Sequence, residues 1–125
     1  RNNSVWSAAG LVPSAFTADR VTVAALPGGG AILAFRGTDG FLYYAQYSGG
    51  AWSAAAAFSA PNVAVTASPA IARGVGSGAS AATAELAFTM ADGKVYASRL
   101  VGGIWAAPLV VGGANMNRVA IASAP

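Results

Sequence analysis

The chain contains an internal repeat, and this repeat restricts the possible folds more than any other feature. The segment LAFRGTDGFLYYAQYSGGAW, residues 33–52, recurs as LAFTMADGKVYASRLVGGIW, residues 86–105, without a gap. When residues 33–54 are aligned with residues 86–107, ten of the 22 positions are identical. A repeat of roughly 50 residues is typical of folds in which similar units stack on one another.

Each repeat unit is predicted to consist of four strands joined by tight turns. The turns contain Gly-Gly and Asp-Gly pairs, which suit the positive φ angles of hairpins. Alanine favours helices, but glycines, prolines and short β-branched runs interrupt every window before a stable helix can form. The predicted strands cover 21–26, 31–37, 41–47 and a fourth strand from residue 51 in the first unit, and 70–73, 84–90, 94–101 and 104–111 in the second.

These units predict an all-β fold made of β-propeller blades. Small apolar side chains occur on both faces of the predicted strands, as expected for sheets that stack face to face. We predict a single domain over 1–125 with two full four-stranded antiparallel blades, at 21–60 and 66–111, an outer edge strand at 5–13 and an inner edge strand at 117–125. Because a propeller has about four to eight blades, its ring must be completed by homo-oligomerisation or by a longer parent chain.

The composition argues against several classes of function. The 125-residue chain has no Cys and no His, which removes disulfides, thiol chemistry, His-based catalysis and most zinc sites. The seven basic residues are scattered singly and form no stripe for nucleic acid. The uncharged run at 41–72 is interrupted by Gly, Pro and Asn, so it does not predict a membrane span. We therefore expect no cofactor, no metal, and neither nucleic acid nor membrane as a partner.

Aromatic, basic and amide side chains are the candidate ligand-binding residues. A Trp or Tyr ring can stack on the apolar side of a sugar while its N–H or O–H reaches a hydroxyl group. An Arg guanidinium can donate two hydrogen bonds to hydroxyls or to a carboxylate. The candidates are Trp6, Arg20, Tyr44, Tyr47, Trp52, Trp105, Asn117 and Arg118. Packing between blades is the alternative role of each Trp, and a salt bridge to Asp19 or to a neighbouring chain is the alternative for the two Arg residues.

Two further features are interpreted as structural. The Asp-Gly pairs at 39–40 and 92–93 are predicted to form hairpin turns, although a carboxylate is also a possible sugar or metal ligand. Tyr43 and Tyr96 occupy matching positions in the two repeats and are interpreted as framework residues.

The string FRGTDGFLYYAQYSGGAWS, residues 35–53, resembles the blade repeat of the bacterial seven-bladed propeller lectins of the Photorhabdus type, with relatives among tectonin-like and sialidase-like propellers. In those repeats an F-x-R-G-T-D-G-x-L hairpin precedes a Gly-rich turn and W-(S/T). This chain lacks the spacer after Phe35, and its second repeat has Thr-Met-Ala at 89–91 in place of Arg-Gly-Thr. The resemblance implies a secreted or cell-surface lectin whose partners are glycans, with fucose-type sugars among them.

The sequence is compatible with three functions. The first, which we expect, is a non-catalytic carbohydrate-binding module whose sites multiply when copies form a ring. The second is a structural, self-assembling propeller scaffold without a ligand. The third is a sialidase-like glycosidase that would use Glu85, Arg36, Arg73 and a Tyr. Against it, the chain has four acidic residues in all and no Asp-box motif, so we expect no enzymatic activity.

Overall fold

The structure is a computed structural model that describes residues 11–17, 19–74 and 83–112, and these residues form two antiparallel β-sheets. The first sheet contains β1 (Thr22–Ala25), β2 (Ala31–Arg36), β3 (Leu42–Ser48), β4 (Ala51–Trp52) and β5 (Ala56–Ala57). The second sheet contains β6 (Ala70–Arg73), β7 (Ala84–Thr89), β8 (Val95–Val101), β9 (Ile104–Trp105) and β10 (Leu109–Gly112). A short 3-10 turn, Pro27–Gly29, connects β1 to β2. The prediction of an all-β chain is confirmed.

Both sheets are meanders in which strands pair in chain order. In the first sheet β1 pairs with β2 and β2 with β3, while β4 and β5 pair with successive stretches of β3 and so form one interrupted outer strand. The second sheet repeats this order, with β9 and β10 both paired to β8. The repeat in the sequence therefore corresponds to a repeat of the whole sheet.

The two Asp-Gly pairs lie in the tight turns between the second and third strands of each sheet, as predicted. Gly40 has a φ of 87° and Gly93 a φ of 78°, a region that residues with a Cβ rarely adopt. The N–H of Gly40 donates to the carbonyl of Gly37 at 2.9 Å, and the N–H of Gly93 donates to that of Met90 at the same distance. These turns fix the register of the strand pairs on both sides.

The two sheets pack face to face around an apolar core, which we call the junction core. It takes side chains from both sheets and from the connection between them: Ala24, Ile32, Ala34, Leu42, Phe58, Val65, Ile71, Ala84, Leu86, Phe88 and Leu100. Since side chains alternate along a strand, the first sheet contributes one face to this core and turns the other away. We call that second face the distal face; its buried residues are Leu33, Phe35 and Ala45.

The connection from β5 to β6 holds the sheets together. The ring of Phe58 lies 5.5 Å from the rings of both Phe88 and Trp105. The backbone is tied to the first sheet, because the N–H of Leu42 donates to the carbonyl of Val63 at 3.0 Å and the N–H of Val65 donates to that of Gly40 at 2.9 Å. The connection thus inserts an apolar ring between sheets while satisfying its own polar groups.

Equivalent positions of the two repeats differ in what covers them. Val23 pairs with Leu33 in the first sheet as Ile71 pairs with Leu86 in the second. Ile71 is 5% exposed because β1 packs against β6, whereas Val23 is 54% exposed. The two sheets therefore do not close on themselves, and no described strand covers the side of β1 that carries Val23.

Some sequence-based predictions fall outside the described residues. The inner edge strand at 117–125 lies wholly outside them, and of the outer edge strand at 5–13 only residues 11–13 are described, without strand structure. Within the described part of the chain, no helix has the length and hydrophobicity to cross a membrane.

Replacing Phe58 by Ala tests the role of the connection. Phe58 is buried against two other aromatic rings, so Phe58→Ala is expected to lower the free energy of unfolding by about 3–5 kcal/mol. Urea denaturation measures this loss. Phe41→Ala is the matched control because Phe41 is 38% exposed and a change at the surface costs much less. Equal losses for the two variants would show that Phe58 does not hold the sheets together.

Candidate functional site

A cavity of about 120 Å³ opens on the distal face of the first sheet. One wall is the segment that precedes β1, and the other is formed by β2, β3 and the hairpin between them. The lining residues are Ser14, Phe16, Phe35, Gly37, Thr38, Asp39 and Tyr43. The cavity therefore combines three aromatic rings with hydroxyl groups and one carboxylate.

The floor of the cavity is a pair of stacked rings. Phe35 on β2 and Tyr43 on β3 are directly opposite each other in the strand register. Their ring centroids are 5.7 Å apart and the planes differ by 19°. Phe35 is buried and Tyr43 half-buried, so the pair presents a fixed apolar surface to the opening.

The carboxylate of Asp39 is held at the end of the hairpin by two hydrogen bonds. Its Oδ1 accepts from the N–H of Phe41 at 3.0 Å, and its Oδ2 accepts from the hydroxyl of Tyr43 at 2.6 Å. The hydroxyl of Tyr43, followed by the N–H of Phe41, lowers the pKa of Asp39, and the same contact raises the pKa of Tyr43. At neutral pH the cavity therefore contains an ionised carboxylate beside a protonated phenol.

Gly37 lies directly against the Asp39–Tyr43 pair. A Cβ at position 37 would lie 2.7 Å from Oδ1 of Asp39 and 2.7 Å from Cε2 of Tyr43, closer than non-bonded atoms can approach. The second repeat has the same Asp–Tyr hydrogen bond, between Asp92 and Tyr96, but Met90 stands at the position of Gly37. The two hairpins therefore differ at this position, where the first has a glycine and the second has a methionine side chain.

The segment at 11–17 is fixed to the sheet by its backbone. The carbonyl of Pro13 accepts from the N–H of Ala55 at 2.8 Å, and the carbonyl of Phe16 accepts from the N–H of Thr38 at 3.1 Å. Ser14, between them, has a φ of 60°, which is uncommon for a residue other than glycine. The side chain of Phe16 is 71% exposed, so this wall offers a ring on a well-anchored backbone.

Arg36 belongs to the other face of the first sheet. Its Nη1 lies 3.0 Å from Oδ2 of Asp19 and its Nε donates to the carbonyl of Val65 at 2.9 Å. In the strand register it stands opposite Leu42, a residue of the junction core. Among the described residues, Asp39 has no ion pair that would neutralise it.

The structure brings four of the candidate residues together in two pairs. Tyr44 and Trp105 meet edge to face between the two sheets, with centroids 5.6 Å apart. Nε1 of Trp105 is buried and has no hydrogen-bond partner among the described residues, so this ring packs between sheets rather than facing a ligand. Tyr47 and Trp52 pair on the distal face with centroids 5.4 Å apart, and both are half-buried.

The other candidates are not placed in a common site. Arg20 is exposed, and its suggested partner Asp19 pairs with Arg36 instead. Trp6, Asn117 and Arg118 lie outside the described residues. Of the residues suggested for a glycosidase, Arg36 is on the first sheet, whereas Arg73 and Glu85 are on adjacent strands of the second. Glu85 pairs with Arg99 at 3.7 Å.

Sequence reasoning missed most of the cavity. The Asp-Gly pattern predicts a turn role for Asp39, and the match between the repeats predicts a framework role for Tyr43; the hydrogen bond between them recurs between Asp92 and Tyr96 in the other hairpin. Ser14 and Phe16 lie outside the repeated segment and carried no signal. The one available signal was the difference between the hairpins, Gly-Thr at 37–38 against Met-Ala at 90–91.

Glycosidases use two carboxyl groups across the scissile bond, whereas one carboxyl group lines this cavity. The part of the chain that the structure describes also has no cluster of three or more side chains suited to a metal ion.

A scan against protein-family models matches no family, and a search of curated proteins finds no significant match.

Acid should weaken the fold through the two Asp–Tyr pairs. Both aspartates have a pKa below the ordinary value of 3.8, mainly because a Tyr hydroxyl donates to each. The stabilisation is therefore fully present above that value and is lost as the pH falls through the lowered pKa of the folded state. We expect Asp39→Asn and Asp92→Asn each to make the loss of stability in acid less steep.

Urea denaturation between neutral pH and about pH 2 measures this dependence. A double variant with the same acid dependence as the unmodified chain would show that the two hydrogen bonds do not contribute.

Proposed function

We propose that the chain is a non-catalytic carbohydrate-binding module whose two sheets are blades of a β-propeller. The cavity on the distal face is the observation that carries this proposal, because it combines exposed aromatic surface with polar groups in a fixed frame. The meander order of both sheets and their face-to-face packing support the propeller architecture.

The side chains of the cavity match the chemistry of a sugar. The rings of Phe16 and Tyr43 offer apolar surface to the C–H groups of a pyranose. The free lone pairs of Asp39 accept hydrogen bonds from sugar hydroxyls, and the hydroxyl groups of Ser14 and Thr38 both donate and accept. At about 120 Å³ the cavity is well below the 300–1,000 Å³ or so of pockets that enclose a drug-sized ligand. It suits one edge of a single sugar unit.

The Tyr47–Trp52 pair extends the proposed site. Both rings lie on the distal face with Phe35 and Tyr43, as their positions in the strand register require. A glycan longer than one unit would cross from the cavity to this second aromatic pair. Fucose-type sugars are the first ligands to test because the repeat resembles that of propeller lectins.

The proposed function also includes a closed propeller ring and a secreted or cell-surface location. The sheets of one chain do not close, so the proposed propeller is completed by further copies of the chain or by further blades in a longer one. Each added copy of the chain would then bring another site, which raises avidity without any new contact. A secreted or cell-surface location is the setting in which such a module meets glycans.

A self-assembling scaffold is the second candidate function. It is favoured by apolar residues exposed at both ends of the pair of sheets, namely Val21, Val23, Ile104, Leu109, Val110 and Val111. Exposed apolar edges of this kind promote association between chains. A scaffold would use these surfaces alone and would leave the cavity without a ligand.

Titration with sugars decides between the two candidates. We expect a change in Trp fluorescence with at least one neutral sugar, and Phe16→Ala should weaken that binding by roughly two- to tenfold through the loss of a stacking ring. Phe41→Ala is the matched control because Phe41 does not line the cavity. No response to any sugar would contradict the proposal and favour the scaffold.

A further inference from the structure

The two hairpins carry different charges, and this difference indicates the charge of the ligand that the cavity can bind. In the second repeat, Lys94 follows the turn and its charge contributes to the lowered pKa of Asp92. The equivalent residue of the first repeat is Phe41. The cation near the first hairpin is Arg36, and it pairs with Asp19, not with Asp39. The first hairpin therefore retains the carboxylate but lacks a cation directly after the turn, and its nearby Arg36 is paired with Asp19.

The hairpin that lacks a counterpart of Lys94 is the one that lines the cavity. Three rings, those of Phe16, Phe35 and Tyr43, line the space next to the carboxylate of Asp39, and none of the lining residues is basic. Aromatic faces attract cations through their quadrupoles, and cages of aromatic rings are used to bind alkylated ammonium groups. A carboxylate adds a charge-assisted hydrogen bond for an ammonium that retains N–H groups.

We propose that this cavity binds its ligand through a positively charged ammonium group, and that the ligand is a sugar with a free amine. The sugar part rests on the proposed function; the ammonium part rests on the cavity alone. Asp39 can take the additional hydrogen bond because each carboxylate oxygen has accepted one and has a second lone pair. N-acetylated sugars lose the charge, and acidic sugars are repelled by the carboxylate.

The site belongs to the first repeat. In the second repeat, Met90 occupies the position of Gly37 and packs against the junction core, while Lys94 supplies the cation. Since Asp92 makes the same hairpin hydrogen bonds as Asp39, the second repeat is a control within the same molecule. One ammonium site is therefore expected for each chain.

Calorimetric titration of the full chain with four probes tests the proposal: tetramethylammonium, glucosamine, N-acetylglucosamine and glucose. At about pH 6 the amine of glucosamine is protonated. We expect tetramethylammonium to bind and glucosamine to bind at least about tenfold more tightly than the other two sugars, with an affinity that falls as salt is added.

Three variants separate the contribution of the charge from that of the fold. Asp39→Asn should weaken binding of glucosamine and tetramethylammonium at least about tenfold, whereas Asp92→Asn, which alters the same hydrogen bonds in the other hairpin, should leave it unchanged. Phe41→Lys should also weaken it, because it restores to the first hairpin the cation that the second has. Circular dichroism of each variant verifies that the chain is folded.

The outcomes distinguish the inference from the proposed function. Equal binding of glucosamine, N-acetylglucosamine and glucose, unaffected by Asp39→Asn, would overturn the ammonium site and support the sugar-binding function. Binding of tetramethylammonium without any sugar would support the ammonium site and overturn the sugar-binding function. Absence of binding by both ammonium probes would overturn the inference.

Discussion

The packing of the second sheet against the first is the interaction on which the remaining features depend. A four-stranded sheet with small apolar residues on both faces cannot bury either face alone. In this chain, the face that contains Leu86 and Phe88 is covered by Ile32 and Ala34 of the first sheet and by Phe58 of the connection. The repeat in the sequence is the consequence, since a sheet of this kind is best covered by another like it.

The same requirement explains why a cavity forms where it does. Phe35 is the equivalent of Phe88, but its face is covered by the segment at 11–17 and not by a described sheet. A single segment fills this space less completely than four strands would, and a cavity remains between the segment and the hairpin. The candidate site is thus a gap in a packing scheme that is complete at the junction core.

The sequence predicted the sheets well and the site poorly, for physical reasons. Strands and turns follow from local patterns such as the Asp-Gly pairs. The first three strands predicted for each sheet are present, and the fourth is split into two short strands. The cavity depends on a segment outside the repeat, on the φ of Ser14 and on a contact between Phe16 and Thr38, none of which a local pattern encodes. Trp105 was a reasonable candidate by residue type, yet its position between the sheets follows only from the way they pack.

The most direct test of the account is whether β1 and β6 lie side by side in solution. The N–H of Ile71 donates to the hydroxyl of Thr22 at 3.4 Å, although the two residues are far apart in the chain. Nuclear Overhauser measurements on the isotopically labelled chain should therefore show cross-peaks between the side chains of Thr22 and Ile71. Well-resolved spectra in which each sheet gives its internal cross-peaks and none connects these two residues would contradict the account.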